Sequence, residues 1–527
     1  MVKKTILALI IILSTFFSQS AFCADLKSLE VKQKELSELR EPDLTSLVFF
    51  SGYDFTYDKK LYYNPEVRSL IEKLSEADKH CEQSNVAVAY FEYKKILQTM
   101  KPNDFYYMLM AYKLTQTGFF SLAHLAMNKV DDKEIWASHI EAVRKYSFPK
   151  VNLKVQEEVF FAELLSDIVY NNMTNESLTR LAKSESTLAN SDYGSYIKAK
   201  AYFAEKKQKQ ALSEINRALS QNPENMIYLK FKAEILSSEG NGKEVINVLK
   251  NLPEQDLLYI ENQKTTDKIK YYTLTNSKTH PSQQKYNLAY YFYLNRDYPR
   301  AINELKLMLI RGENKQAGEL LGHIYLINGQ YEEAEKLYKK LLTRNQKLSY
   351  AHKGLGDIYL YKNKNALAYA EYKIALKFDT KDVENYVGYI VASVKIGDLK
   401  TARKYLSKAK SKFPTNYKIL YLNAKINEDT GKQNLKNSIK YNPFYPEGWL
   451  DLAGDALSLN DTTSASEYIN TAAFITKNSA RYFYYKSILN TEKKDFDTAE
   501  RDITRAKQLY IEQKQNHNQG GAADEKI

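Results

Sequence analysis

The sequence predicts an all-α protein built as a solenoid of repeated helix pairs. Its residues recur at an interval of 34: Ala334, Ala368 and Ala402 are separated by this step, and so are Gly322 and Gly356. Between these positions, apolar residues follow the three-to-four-residue spacing of a helix rather than the alternation of a strand. The 527-residue chain is 44% hydrophobic and 27% charged, which is the composition of a folded protein. A fixed period of this length indicates a repeat architecture, which is not limited to the size of one globular core.

The packing positions within one repeat give a physical reason for the period. In the block from 320 to 342, Gly322 and Tyr325 share one face of a first helix, and Gly329 permits the turn that follows. On the second helix, Ala334 allows the two backbones to approach closely, and Tyr338 fills the space beside them. One helix pair cannot bury this face by itself, so neighbouring pairs must stack.

The pattern of Gly, Tyr and Ala at this period resembles the tetratricopeptide repeat (TPR) family. The resemblance implies an all-α, TPR-type α-solenoid, a right-handed superhelix of antiparallel helix pairs, here in two arrays. Clear repeats are expected at 192–225, 226–253, 282–314, 315–348, 349–382, 383–416, 446–479 and 480–513. A degenerate unit at 417–443 is expected to have a full first helix and a shortened second helix.

The register and the interruptions in it divide the chain into six parts. These are a signal peptide (1–23), an N-terminal segment of unclear fold (24–83), an N-terminal helical array (84–253), a connecting segment (254–281), a C-terminal array (282–513) and a disordered tail (514–527).

The first 23 residues follow the plan of a secretory signal peptide. Two lysines precede an apolar run from Ile6 to Leu13, which is followed by small and polar residues. Cleavage is expected after Cys23 or after Ser20. Lipid attachment at Cys23 is the alternative, but Phe22 stands where bacterial lipoproteins carry a small residue.

Removal of the signal peptide limits where the mature chain is located and which partners it is expected to bind. If cleavage falls after Cys23, Cys81 is the only cysteine left, so no intramolecular disulfide could form. No other stretch is apolar over the roughly 20 residues of a transmembrane helix, so we expect an exported chain without a membrane span, periplasmic, cell envelope-associated or secreted. The net charge of +12 is spread along the helices without a basic run, which argues against nucleic acid as a partner.

The sequence contains no motif that would support catalysis or a cofactor. The seven histidines are scattered, and none belongs to a His-Glu-x-x-His pair that would bind a metal. The glycines of "GNGKEVI" lack the spacing of a phosphate-binding loop. Adjacent His80 and Cys81 point in different directions on a helix, which does not suit a nucleophilic pair. We therefore expect no enzyme, no cofactor and no metal.

The resemblance implies that partners bind the concave surface, which the first helix of each pair lines. The residues placed there are Tyr286, Tyr290, Tyr293, His323, Lys353, Asp357, Tyr421, Lys425 and Tyr484. TPR proteins that clamp a terminal carboxylate use a Lys followed four residues later by an Asn. Here Asp357 follows Lys353 and would repel a carboxylate, so that specificity is not expected. Each tyrosine could instead be an ordinary packing residue.

Two functions fit these features. The first is a non-catalytic protein–protein interaction scaffold of the periplasm or cell envelope, which binds protein or peptide partners through a Tyr/Lys-lined groove. The alternative is a polysaccharide- or peptidoglycan-binding protein of a surface-polymer export or assembly pathway, because sugars stack on flat aromatic rings. An unrecognised enzyme and an exported factor that acts on a host are remaining classes.

Overall fold

The computed structural model describes residues 26–49, 64–239, 242–249, 281–311, 315–427, 431–476 and 479–519. Helices account for most of these residues, and none of them forms a strand. The predicted fold class, an all-α solenoid of the TPR type, is confirmed. The predicted signal peptide and almost all of the predicted connecting segment lie outside the described residues.

The N-terminal half contains fourteen helices within the described part of the chain. They are α1 (26–35), α2 (Thr45–Phe49), α3 (Pro65–Glu82), α4 (Val86–Thr99), α5 (Asp104–Thr117), α6 (Phe120–Asn128), α7 (Lys133–Ser147), α8 (Val155–Tyr170), α9 (Thr174–Ala182), α10 (Ser186–Ala189), α11 (Asp192–Ala204), α12 (Gln208–Gln221), α13 (Met226–Ser238) and α14 (Gly242–Leu249). A 3₁₀ turn at Ser37–Arg40 lies between α1 and α2.

The C-terminal half consists of seven helix pairs in the residues that are described. They are α15 (Pro281–Leu294) with α16 (Tyr298–Arg311), α17 (Lys315–Ile327) with α18 (Tyr331–Arg344), α19 (Ser349–Tyr361) with α20 (Asn365–Phe378), α21 (Val383–Lys395) with α22 (Leu399–Lys412), α23 (Tyr417–Ile426) with α24 (Gly431–Tyr441), α25 (Pro446–Ser458) with α26 (Thr462–Ile475), and α27 (Ala480–Glu492) with α28 (Phe496–Gln519).

The first helices of successive pairs begin at the interval that the sequence repeats. The first helices α15, α17, α19, α21 and α23 begin at 281, 315, 349, 383 and 417, a constant step of 34. The next step, from 417 to 446, is 29 residues, and the step from 446 to 480 returns to 34. In this short unit α23 has 10 residues and α24 has 11, whereas α21 and α22 have 13 and 14. The prediction of a full first helix is therefore wrong: the unit lacks five residues, and both of its helices are shorter.

Pairs of glycines explain why tyrosine recurs in step with them. A Cβ atom added to Gly322 would lie 2.2 Å from the hydroxyl oxygen of Tyr338, and one added to Gly354 in the next repeat would lie 2.2 Å from the same ring. Tyr338 is thus clamped between two first helices. Tyr372 occupies the equivalent place between Gly356 and Gly388 one repeat later, so the Gly and Tyr positions together set the distance between successive repeats.

The N-terminal helices pack against the C-terminal array and share one apolar core with it. Phe105 of α5 is fully buried and, besides its neighbour Tyr106, meets the rings of four other aromatic residues from both halves. These are Trp136, Phe444, Trp449 and Phe474, with ring centroids 5.5 to 6.4 Å away. Trp136 and Trp449, the two tryptophans of the chain, stack at 6.1 Å with 17° between their planes.

Polar contacts with α24 and α26 reinforce this packing. The Asn103 side chain, which caps α5 by accepting from the Tyr106 amide, also donates to the hydroxyl of Thr471 at 2.9 Å. Tyr106 donates its hydroxyl to the carbonyl of Asn470 at 2.7 Å. The ring of His139 on α7 lies 2.8 Å from the carbonyl of Lys440. These contacts connect residues that are more than 300 positions apart in sequence.

The segment predicted to have an unclear fold is helical where it is described. Helix α1 lies against the last helix pair: Gln33 donates to the hydroxyls of Ser487 and Thr491, at 3.0 and 2.9 Å, and Glu35 pairs with Lys507 at 3.0 Å. At the other end of the chain, α28 continues to Gln519, six residues beyond the predicted end of the array. Lys514 of this extension pairs with Glu38 at 3.3 Å, so the two ends of the described chain are in contact.

Candidate functional site

The first helices of the C-terminal pairs (α15, α17, α19, α21, α23, α25 and α27) together form what we call the first-helix surface. On α15, Tyr286, Tyr290 and Tyr293 follow one another at spacings of four and three residues, which places them on one helix face. Their ring centroids are 6.0 and 5.4 Å apart, and the Tyr293 hydroxyl lies 3.1 Å from Nε2 of His323 on α17. The three tyrosines are half-buried and His323 is exposed. The structure therefore brings four of the predicted residues together in one row.

Lys353 and Asp357 lie next along the surface and are held by the scaffold. The Lys353 ammonium is 2.8 Å from Asp382, whose side chain also caps α21. Asp357 accepts a hydrogen bond of 2.5 Å from Tyr372, the tyrosine clamped between two glycines. Burial raises the pKa of Asp357 to about 6, although Tyr372 and Lys353 both oppose this shift. Lys353 thus links consecutive repeats, whereas Asp357 binds a tyrosine of its own repeat.

Lys425 and Tyr484 contact the chain's own N-terminal segment, whereas Tyr421 is buried within the array. Tyr421 is fully buried, with its ring 5.0 Å from that of Tyr445. The Lys425 ammonium lies 2.8 Å from a carboxylate oxygen of Glu41. The Tyr484 hydroxyl accepts a hydrogen bond of 2.9 Å from Nε of Arg40. Two of these three residues therefore bind residues of the 3₁₀ turn and the extended chain that follows it.

The structure adds three residues that the sequence reasoning missed. Arg481 and Tyr485 on α27 contact the backbone of the N-terminal segment, and Lys395 on α21 pairs with Asp43 at 2.7 Å. They occupy different places within their repeats, so the 34-residue register does not group them. The sequence feature that points to these contacts lies in the N-terminal segment. There, Glu41 and Asp43 flank Pro42 in a stretch without repeat pattern.

Two features of the described residues bear on metal binding and nucleophilic chemistry. Among these residues, no group of three or more His, Cys, Asp or Glu side chains is placed to hold a metal ion. Burial and the nearby Asp78 carboxylate raise the pKa of the Cys81 thiol to about 11, so the thiol stays protonated and weakly nucleophilic at neutral pH. None of the described helices is long and apolar enough to cross a membrane.

Comparison with known proteins agrees with the repeat geometry. The family model of the tetratricopeptide repeat matches residues 319–383, which span α19 and α20 and parts of the neighbouring pairs. The chain therefore contains tetratricopeptide repeats in this region. Proteins with such repeats bind protein partners and are in general non-catalytic scaffolds, and the repeat fold suggests an interaction scaffold. No curated protein matches it.

Three solved structures are similar to this chain at low identity. PilF of Pseudomonas aeruginosa is 22% identical over 37% of this chain and 92% of its own, with a TM-score of 0.33. The Cut9–Hcn1 hetero-tetramer of the APC/C is 13% identical over 86% and 96%, with a TM-score of 0.36. A TPR protein of Parabacteroides merdae is 16% identical over 53% and 98%, with a TM-score of 0.29. At these TM-scores the likenesses carry no argument about function.

Proposed function

We propose that this TPR protein is a non-catalytic interaction scaffold of the periplasm or cell envelope. In this proposal the first-helix surface forms a groove, and protein or peptide partners bind at the tyrosine row of α15. The location rests on the signal-like pattern of residues 1–23, which lie outside the described residues.

The geometry of the row is the observation that carries this proposal. Tyr286, Tyr290 and Tyr293 are half-buried, in mutual ring contact and next to exposed His323. Each side chain is therefore partly packed and partly open to solvent. Tyrosines held in this way lose little conformational entropy on binding and commonly anchor protein interfaces. Polysaccharide is the second candidate ligand, because sugars stack on flat aromatic rings.

The test is Tyr290→Ala, with Tyr441→Ala as the matched control. Tyr441 is 49% exposed on α24, a second helix, outside the first-helix surface. If Tyr290 is an anchor, its truncation costs about 2 kcal/mol of binding, a loss of roughly thirtyfold in affinity. We expect chemical crosslinking in native cells with mass spectrometry to recover partners from Tyr441→Ala but not from Tyr290→Ala.

Melting temperatures of both variants separate binding from folding. An unchanged melting temperature with lost partners supports the tyrosine row as the binding site. An unchanged partner set, or a large fall in melting temperature for Tyr290→Ala alone, would contradict it. Loss of binding to a soluble polysaccharide without any change in protein partners would instead favour the second candidate.

A further inference from the structure

The segment from 36 to 49 lies along the first-helix surface like a bound peptide. It runs opposite to the order of the repeats: its 3₁₀ turn contacts α27, Glu41 reaches Lys425 on α23, and Asp43 reaches Lys395 on α21. Helix α2 then lies against α21 and α19. The segment thus contacts four of the seven first helices, leaving the tyrosine row of α15 outside its path.

Two residues of α27 recognise the backbone of this segment rather than its side chains. Arg481 donates hydrogen bonds to the carbonyls of Leu39 and Arg40, at 3.1 and 2.8 Å. Tyr485 donates its hydroxyl to the same Arg40 carbonyl at 2.9 Å. Since every residue carries a carbonyl, contacts of this kind suit any chain that enters with the same backbone geometry.

Arg481 is fixed in place before it meets the segment. It is buried and forms ion pairs with Glu447, at 2.6 Å, and with Asp451. Both carboxylates belong to α25, so the orientation of the guanidinium is set by the array itself. A donor that is already oriented needs no rearrangement on binding, which is the property of a preformed peptide site.

Two lysines of the array recognise two carboxylates of the segment by forming ion pairs with them. Glu41 and Asp43 are two residues apart, and the backbone of Glu41 is extended, with φ −97° and ψ 135°. Pro42 favours this conformation because the residue before a proline is restricted to the extended region. In an extended chain, residues two apart point to the same side. Lys425 and Lys395 meet them at 2.8 and 2.7 Å.

Leucines anchor the segment on either side of this acidic pair. Leu39 and Leu47 are buried in the core that the segment shares with the C-terminal array. By contrast, the Glu41 and Asp43 side chains are 76% and 52% exposed. Exposed ion pairs add little to stability and serve mainly to select a partner. The charged contacts therefore give the segment its specificity without fixing it irreversibly.

We propose that the first-helix surface from α19 to α27 is a binding site for an extended acidic segment flanked by leucines, with residues 36–49 as its intramolecular ligand. A partner protein carrying a segment of this chemistry binds by displacing residues 36–49. The inference deepens the proposed function because it assumes a groove that binds partners, but it concerns other helices than the tyrosine row.

The test uses the full chain and a fluorescent synthetic peptide, "LSELREPDLTSLVF", which reproduces residues 36–49. The substitutions Glu41→Lys and Asp43→Lys reverse both charges of the tethered segment, so Lys425 and Lys395 repel it. A tethered ligand competes at an effective concentration of about a millimolar, so freeing the site should reveal binding in trans. By fluorescence anisotropy, we expect the peptide to bind the variant at least tenfold more tightly than it binds the unaltered chain.

A charge swap provides the matched control. In a chain with Lys395→Glu and Lys425→Glu, the native peptide should bind no better than to the unaltered chain, and a peptide carrying lysines at positions 41 and 43 should bind more tightly than the native peptide. Equal binding of the native peptide to the unaltered and charge-reversed chains, binding to neither, or failure of the swap to exchange the preference would each overturn the proposal. Because Tyr290 takes no part in this assay, its outcome is separate from that of the partner-capture experiment.

Discussion

Truncating Phe105 to alanine is expected to lower the free energy of unfolding by about 3 to 5 kcal/mol. The ring is fully buried and, besides Tyr106, contacts four aromatic residues, three of which belong to the C-terminal array: Phe444, Trp449 and Phe474. Removing it leaves a cavity where the two halves of the molecule meet. Urea denaturation followed by fluorescence measures the loss, and the stacked pair Trp136 and Trp449 reports on this region directly.

Phe91→Ala is the matched control for this prediction. Phe91 lies on α4 with 65% of its surface exposed, so the same truncation there should change the free energy of unfolding by no more than about 0.5 kcal/mol. Equal losses in the two variants would show that Phe105 is not enclosed between the two halves.

Replacing Arg481 with methionine should cost about 3 to 5 kcal/mol of stability at neutral pH. The substitution removes the cation from a buried cluster and leaves the carboxylates of Glu447 and Asp451 facing each other in the interior. It also removes two hydrogen bonds to the N-terminal segment. Arg300→Met is the control, because Arg300 forms an exposed ion pair with Asp297, and its loss should cost at most about 1 kcal/mol.

The pH dependence of the Arg481→Met variant provides a second signature. Burial already raises the pKa of Glu447, and Arg481 opposes that shift. Without Arg481 the pKa of Glu447 rises further, so the folded variant takes up a proton more readily than the unfolded chain does. Stability of the variant should therefore increase as the pH falls from 7 to 5, relative to the unaltered chain. A stability deficit that is constant over this range would contradict the buried-charge explanation.

The repeat architecture was predictable because its determinants are local and periodic. Gly322, Tyr338 and Gly354 act within one repeat or between neighbours, so their spacing in the sequence carries the packing rule. The same holds for the tyrosine row of α15, which needs only helical periodicity. The helix lengths of the short unit, α23 and α24, were predicted only in part. A unit that is five residues shorter does not reveal which of its helices loses them.

The contact between the N-terminal segment and the array was not predictable from the pattern. Glu41 and Lys425, or Asn103 and Thr471, come together across more than 360 residues, and neither pair belongs to the period. Complementarity of this kind depends on the curvature of many stacked repeats, which no local spacing encodes. The sequence predicted Lys425 and Tyr484 on the first-helix surface. Only the structure shows that they bind Glu41 and Arg40.

Zero-length carbodiimide crosslinking of the purified chain tests most directly whether the chain's own N-terminal segment occupies the first-helix surface. The reagent joins an ammonium to a carboxylate only when the two are in contact. We predict isopeptide bonds joining Lys425 to Glu41 and Lys395 to Asp43, whose charged atoms lie 2.8 and 2.7 Å apart, together with Lys353 to Asp382 as an internal reference within the array. Mixing isotopically light and heavy chains before the reaction shows whether each bond forms within one molecule. Light–light and heavy–heavy linked peptides without mixed ones would support the account, whereas recovery of the Lys353 reference without either bond to the N-terminal segment would contradict it.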